Sequence, residues 1–552
     1  MSKYAIGLDY GTLSGRAVMV DVKDGRQVAS AVYEYPHAVM DRTLPDGSAL
    51  PPDWALQHPR DYLEALEHTI PAVVDASGVK PEDIIALGVD FTSSTVLPVD
   101  AQGEPLCMKK EFEHEKHAYV KLWKHHGAQE QADRMTRVAV ERNEPWLVNY
   151  GGKVSSEWAL PKLLQVMEEA PEVYAAMDEW IEALEWVSMK LTGKLIRSYC
   201  AAGYKFFWNK HTGFPAEEYF EAVNPAFKHV MREKVKSPIQ QPVSIGGTVT
   251  DEMAEKLHLP KGLPVTVGVL DAHAGVPAVG MTKPGQLMIV MGTSACFMAL
   301  SDNGAPVEGI CGALEDGILP GYFCYEAGQS CMGDHYAWLT KNAVPQSYFE
   351  EAQKRGMHIQ AYLTELAEKL RPGESGLLAL DWWNGNRSVL VDFDLTGMML
   401  GLTLQTRAEE MYRALIEATA YGSRMIVETF REKGVEVNEL FATGGISQKN
   451  AMAMQIYADV LNMPVRIAGS DQGPALGSAI LAAAAVGSDQ GGYDDAFEAI
   501  RCMAQGEQKV YTPIAENVAV YEQLFREYRR LHDYFGRGEN NVMKRLKKLR
   551  SK

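Results

Sequence analysis

The chain has 552 residues, a hydrophobic share of 46%, a charged share of 23% and a formal net charge of -18 at pH 7. That length is too great for one ordinary core and predicts two large domains with insertions, while the composition is that of a folded chain rather than of long disordered spans. The negative charge disfavours non-specific binding to nucleic acid or to an anionic membrane surface, and the longest purely apolar run, residues 479–486, falls far short of the roughly 20 residues of a membrane span.

The seven cysteines, at 107, 200, 296, 311, 324, 331 and 502, are odd in number and contain no C-x-x-C pair, so neither a disulfide framework nor a zinc site is expected. The first apolar strand begins by Tyr4, which leaves no room for a signal peptide, and a reducing cytoplasm is the expected location. Lys544, Arg545, Lys547, Lys548, Arg550 and Lys552 crowd the C-terminus, where a solvated helix end is expected rather than a nucleic-acid tail.

Two short apolar runs, residues 4–8 and 16–22, are joined by Gly11, Ser14 and Gly15 and read as an opening β-hairpin. The carboxylate of Asp9 sits at its mouth, two residues before Gly11-Thr12. There a glycine lets backbone N–H groups approach an anion, and a hydroxyl adds one more donor. An acid beside such a nest calls for a cation between it and the anion, and Mg²⁺ held with nucleotide phosphates meets that need. An ordinary hairpin whose Asp and Thr bond their own backbone is the competing reading.

A third strand over 28–35 and a loop rich in Pro, Asp and Gly follow. Pro59 then opens a helix to about residue 76, with apolar residues at 63, 66, 70, 73 and 74 and Gly78 as its stop. The strand 84–90 ends in Asp90-Phe91-Thr92-Ser93-Ser94-Thr95, a run of hydroxyls at the place where an α/β sheet binds ligands, though hydroxyls there also serve as turn formers. Residues 112–195 read as a helical insertion. In residues 199–209 Lys205 lies among aromatics and alanines, either snorkelling along apolar surface or aimed at a ligand.

Residues 264–270 form a continuous buried strand with Asp271 directly after it, at the start of a small-residue helix. An acid there commonly caps the helix. Its place shortly before a second hairpin makes it the candidate to take a proton from an attacking hydroxyl.

That second hairpin, residues 287–300, repeats strand, Gly292-Thr293-Ser294, strand, and the chain reads as two related halves. Next come a strand ending in Glu326, a plausible acceptor for sugar hydroxyls, and a tight loop at 382–387 that could serve nucleotide or sugar. A long amphipathic helix spans 404–433 and is stopped by Gly434. Strand 440–443 then meets Gly444-Gly445 before a helix over 448–461, and a small-residue helix opening at Gly473 is expected to pack against that glycine turn.

Two phosphate hairpins are the arrangement of the actin, Hsp70 and sugar-kinase superfamily, which this pair resembles. LDYGT at 8–12, LDAH at 270–273, MGTS at 291–294, TGGISQKN at 443–450 and PALGSA at 474–479 resemble the FGGY carbohydrate kinases in order and spacing over nearly the whole chain. The implied fold is α/β, with two actin-like (ribonuclease H-like) domains facing across a cleft and helical insertions. Residues 1–270 would be the sugar-binding domain with the first phosphate hairpin, 271–500 the adenosine-binding domain with the second, and 501–552 a C-terminal helical extension. Within the family, DFTSST at 90–95, YEAGQS at 325–330 and the chain length look like the branch that phosphorylates L-ribulose in L-arabinose breakdown.

Carried over, the resemblance makes Asp271 the base and Asp9 the carboxylate near Mg²⁺. Gly11, Thr12, Gly292 and Thr293 become phosphate contacts, Gly444, Gly445 and Asn450 nucleotide contacts, and Thr92, Ser93, Lys205 and Glu326, with Asp271, the substrate residues. Many relatives have an acid where Thr443 stands, which leaves no contact to assign there. The implied ligands are MgATP and a ketopentose, with no nucleic acid and no membrane; a homodimer is left open. The rivals are another FGGY kinase, acting on D-ribulose, xylulose or ribitol, and an actin- or Hsp70-like ATPase that needs no sugar-facing acid.

Overall fold

The computed structural model describes residues 2–506 and 508–550, so Lys552 of the basic C-terminal run lies outside the described residues. The chain divides into two compact units. One takes the chain up to Thr282 with Leu314–Cys324 and Gln472–Gln505; the other takes Lys283–Ala313, Tyr325–Asp471 and the chain from Gly506 onward.

The first unit is built on a seven-stranded sheet in the order Ile245–Thr248, Pro264–Thr266, Ile84–Phe91, Tyr4–Tyr10, Ser14–Asp21, Gln27–Glu34, with Val269–Leu270 also pairing with Ile84–Phe91. Tyr4–Tyr10 runs antiparallel to Ser14–Asp21 and parallel to Ile84–Phe91. Both central strands are buried on both faces, which is why they read in sequence as continuous apolar runs without alternation. The helix Pro59–Ser77 has the expected form, with Pro59 in its first turn, Tyr62, Leu66, Ile70 and Val73 buried, and Gly78 in the left-handed conformation at φ 64°.

The small-residue helix Gly473–Val486, expected against the glycine turn at 444–445, belongs to the first unit and not to the unit that holds that turn. It lies on the first sheet, so closely that a Cβ at Gly7 would stand 1.8 Å from the Ala475 carbonyl oxygen and one at Gly88 2.2 Å from that of Ser478. Backbone meets backbone there, and only glycine in the strands permits it.

Residues 112–195 are not purely helical. Val120–Lys121 and Glu179–Glu182 join Leu56–Gln57 and Val96–Val99 in a four-stranded sheet, beside the helices Gln129–Glu141, Ala159–Glu169 and Ala183–Thr192. Strands of two to four residues are too short for a two-residue alternation to show in sequence. This sheet holds the hydroxyl loop, since Val96–Val99 begins directly after Thr95.

The second unit repeats the motif. Gly285–Met291 pairs antiparallel with Ala295–Ser301 and parallel with Val437–Thr443, in a seven-stranded sheet in the order Gly312–Glu315, Phe323–Gln329, Ala295–Ser301, Gly285–Met291, Val437–Thr443, Val465–Ile467, Lys509–Tyr511. The long helices Ala408–Glu432 and Ala515–Gly536 belong to this unit, and Arg413 joins them by bonding both Glu417 and the Tyr521 hydroxyl. The last helix, Val542–Arg550, leaves Leu546 and Leu549 exposed and sets Lys547 against Asp394 at 3.0 Å.

Candidate functional site

The two hairpin turns close in the same way. Gly11 N donates to Ser14 O at 3.0 Å and Gly292 N donates to Ser294 O at 3.0 Å, so the first turn is one residue longer than the second. In the first unit Thr12 is fixed on two sides, its hydroxyl accepting from Trp123 Nε1 at 3.1 Å and its carbonyl from Gln57 Nε2 at 2.8 Å. The hydroxyl proton of Thr12 is left to donate outward.

Asp9 is 6% exposed and faces Arg16 across the hairpin, with Arg16 Nε 3.3 Å from Asp9 Oδ2. Arg16 is braced in turn by Gln472, whose Oε1 accepts from Nη1 at 3.1 Å. On its other side Asp9 lies in register with Asp90 of the parallel strand. Asp90 is fully buried and accepts from Ser478 Oγ at 2.7 Å.

Burial, then the charge of Asp9, pushes the Asp90 carboxyl well above the usual carboxylate range. Burial raises Asp9 too, but Arg16 and a hydrogen bond with Asp90 pull it back. Both buried carboxyls are therefore raised, Asp90 the more strongly, and Arg16 favours the charged form of Asp9.

Asp271 follows the strand Val269–Leu270, whose residues lie in register with Asp90 and Phe91, and it opens the helix Asp271–Ala278. It is partly exposed, its Oδ1 accepts from Ala272 N at 2.7 Å, and its charge contributes to raising Asp90. The structure thus gathers Asp9, Asp90 and Asp271 at one end of the first sheet. Asp90 was not expected as a site residue. Its one signal in sequence is a carboxylate at the close of the uniformly buried strand IIALGVDF.

The hydroxyl loop is tightly ordered. Thr92 N donates to Tyr10 O at 3.1 Å, Thr92 and Thr95 join hydroxyls at 2.8 Å, and Ser93 is partly exposed. Lys205 ends the helix Tyr199–Lys205 and is 2% exposed, with its ammonium 5.8 Å from the centre of the Tyr204 ring. It is buried rather than reaching along the surface to solvent.

In the second unit Gly292 and Thr293 are exposed, and their carbonyls accept from the start of the helix Gly333–Asn342, Gly333 N to Gly292 O at 3.0 Å and Met332 N to Thr293 O at 2.8 Å. Gly444 has φ 95°, and a Cβ there would meet Met291 O at 2.6 Å, whereas Gly445 faces open space. Asn450 caps the helix Ala451–Leu461 through Oδ1 to Ala453 N at 2.9 Å, and its Nδ2 donates to the Tyr412 hydroxyl at 3.2 Å. Glu326 is 3% exposed and paired with Arg387 Nη2 at 3.3 Å, which brings the tight loop at 382–387 to this carboxylate.

Among the described residues no group of three or more His, Cys, Asp or Glu could hold a metal ion. Asp9, with Arg16 beside it and Asp90 buried behind it, offers one carboxylate edge, which suits a cation that keeps most of its waters and takes the rest of its ligands from phosphate, as Mg²⁺ does. No helix among the described residues is long and apolar enough to cross a membrane.

Comparison with known proteins gives the family and the fold. The models of the FGGY family of carbohydrate kinases match twice, the N-terminal domain over residues 4–277 and the C-terminal domain over 287–486. A ribulokinase of Bacillus licheniformis is 54% identical over 540 residues, covering 98% of each chain, and one of Geobacillus thermodenitrificans is 53% identical over 546 residues, covering 99% of this chain and 97% of that one. Among solved structures, xylulose kinase from Rhodospirillum rubrum shares the fold with a TM-score of 0.78 at 24% identity, covering 96% of this chain and 98% of that one. Gluconate kinase from Lactobacillus acidophilus shares it with a TM-score of 0.79 at 20% identity, covering 98% of this chain and 99% of that one. With both domain models spanning most of its length and relatives more than half identical from end to end, the chain belongs to the FGGY family of carbohydrate kinases.

Proposed function

We propose that this protein transfers the γ-phosphoryl group of ATP to the C5 hydroxyl of L-ribulose, giving L-ribulose 5-phosphate in L-arabinose breakdown. The observation that carries this reading is the set of relatives named ribulokinase, 50–54% identical over 98–100% of this chain. The carboxylates of the first unit supply the chemistry such a transfer needs.

Asp271, the partly exposed member of the three, accepts the proton of the sugar hydroxyl as it attacks. Asp9, whose charged form Arg16 favours, would hold the Mg²⁺ that accompanies ATP. That cation neutralises charge on the phosphate oxygens. Gly11 and Thr12 of the first hairpin, and Gly292 and Thr293 of the second, meet phosphate. Gly444 and Gly445 leave room for the flat adenosine, and Asn450 serves that side by capping the helix behind the turn.

Thr92, Ser93 and Lys205 orient the sugar with neutral and cationic donors, and Glu326 offers an acceptor whose position Arg387 sets. The partners are then a small ketopentose and MgATP. None of the seven cysteines is joined in a disulfide, which is compatible with a reducing cytoplasm.

The test is a coupled ADP-release assay with MgATP against L-ribulose, D-ribulose, D-xylulose, L-rhamnulose, ribitol and glycerol. The highest kcat/KM with L-ribulose is expected. A higher value for another polyol reassigns the substrate within the family, and no stimulation by any of them over the ATP-only rate overturns sugar phosphorylation.

A further inference from the structure

Behind the hydroxyl loop lies a lysine that the proposed chemistry does not use. Lys162 belongs to the helix Ala159–Glu169, is fully buried, and donates from Nζ to Ser94 O and to Leu122 O, each at 2.8 Å. Its helix neighbours Leu160, Pro161, Leu163 and Leu164 are buried too, so an apolar side chain would serve packing as well. Enclosing an amine among them costs free energy that is recovered only through what it binds. What it binds is the backbone of two loops.

Ser94 has φ 51°, a left-handed conformation that a non-glycine residue seldom adopts unless its surroundings hold it there. The same loop is held from the start of the helix Ala183–Thr192 by Ala183 N, which donates to Thr95 O at 2.7 Å. Glu182 is fully buried and in register with Val96, and burial pushes its carboxyl well above the usual range, with Lys162 and Lys205 opposing that rise. A side chain that reaches across from another helix to hold a strained carbonyl therefore fixes where the hydroxyls of Thr92 and Ser93 stand.

We propose that Lys162 is a positioning residue for the sugar, a buried splint on the 92–95 loop that sets the affinity for the ketopentose without touching it. This rests on the reading of that loop as part of the sugar site. A purely structural lysine would lower stability on removal and leave the ratio of sugar affinity to nucleotide affinity unchanged. A splint moves the sugar constant alone.

The experiment compares wild type with Lys162→Met, which keeps length and removes the donors, and Lys162→Gln, which keeps an amide donor. KM for L-ribulose and for MgATP, kcat, the ATP-only hydrolysis rate and the unfolding temperature are measured for each. Lys162→Met is expected to raise KM for L-ribulose roughly tenfold, the size of a lost buried hydrogen bond, with KM for MgATP and the ATP-only rate unchanged. Lys162→Gln is expected to recover part of that loss. An unchanged KM for L-ribulose, a parallel rise in both KM values, or failure of both variants to fold overturns the positioning role. Absence of wild-type turnover with L-ribulose in the same assay would count against the proposed function instead, so the two readings fail separately.

Discussion

Ser478 Oγ donates a 2.7 Å hydrogen bond to Asp90 Oδ2, joining residues 388 positions apart in the chain. This bond sits where the helix Gly473–Val486 lies against the strand Ile84–Phe91, beside the Asp9 carboxylate that the proposed chemistry needs as an anion. Replacing Ser478 with alanine removes the donor and leaves a buried acid short of a partner, which costs about 1–3 kcal/mol. Urea unfolding of Ser478→Ala should show a lowered midpoint with an unchanged slope. Gly88→Ala is expected to be worse, because its new Cβ would stand 2.2 Å from the Ser478 carbonyl oxygen and the helix must move.

Asp271→Asn keeps the shape of the side chain and the bond to Ala272 N but removes the base. A general base contributes roughly 10²–10⁴-fold to such a step, so kcat should fall by that order while ATP affinity, measured by titration calorimetry, stays within about twofold. Turnover near wild type would take Asp271 out of the role of base.

Arg16 both holds Asp9 and lies partly open to solvent, with Nη1 fixed by Gln472. Arg16→Met removes the cation that favours the charged form of Asp9, and KM for MgATP should rise by about tenfold or more, with KM for L-ribulose little changed. Gln472→Ala, which only loosens Arg16, should give a smaller rise in the same constant.

Burial pushes Lys162 down to about 7, with the Glu182 and Glu157 charges opposing that shift and Lys205 adding to it. The folded protein then binds fewer protons at this site than the unfolded chain between about pH 7 and the ordinary lysine value near 10, so this group's contribution to stability rises with pH across that window. The slope is at most ~1.4 kcal/mol per pH unit for one proton. The unfolding free energy of wild type should therefore rise relative to that of Lys162→Met from pH 7 to 9. Equal slopes would show that Lys162 keeps its proton throughout.

Arg387→Met leaves Glu326 without the cation 3.3 Å away. If Glu326 accepts from the sugar, KM for L-ribulose should change severalfold while KM for MgATP holds, and a Glu326→Gln variant should show the same selectivity. A change confined to the nucleotide constant would move the 382–387 loop to the other ligand.

Much of this protein was legible in its sequence because the features concerned are local. The two hairpins, the glycine turn at 444–445 and the capped helix Pro59–Ser77 each depend on residues within a few positions of one another, where backbone conformation and apolar periodicity leave a direct mark, whereas the strand expected over 264–270 is broken into Pro264–Thr266 and Val269–Leu270. Similar motifs at 8–12 and 291–294 also made the two-fold plan readable, since a repeat needs no tertiary knowledge.

What lies around those motifs came only from tertiary structure. Nothing near Asp90 in sequence announces that it is pressed between Asp9 and Ser478, and nothing near Lys162 says that its amine holds Ser94 and Leu122. The four-stranded sheet that carries the hydroxyl loop is assembled from strands of two to four residues, too short to register as a pattern, and the helix Gly473–Val486 joins the first sheet across more than 380 residues. Pairings of that kind are decided by which buried surfaces and polar groups satisfy one another in the packed chain, and that information is spread over segments whose local sequences do not refer to each other.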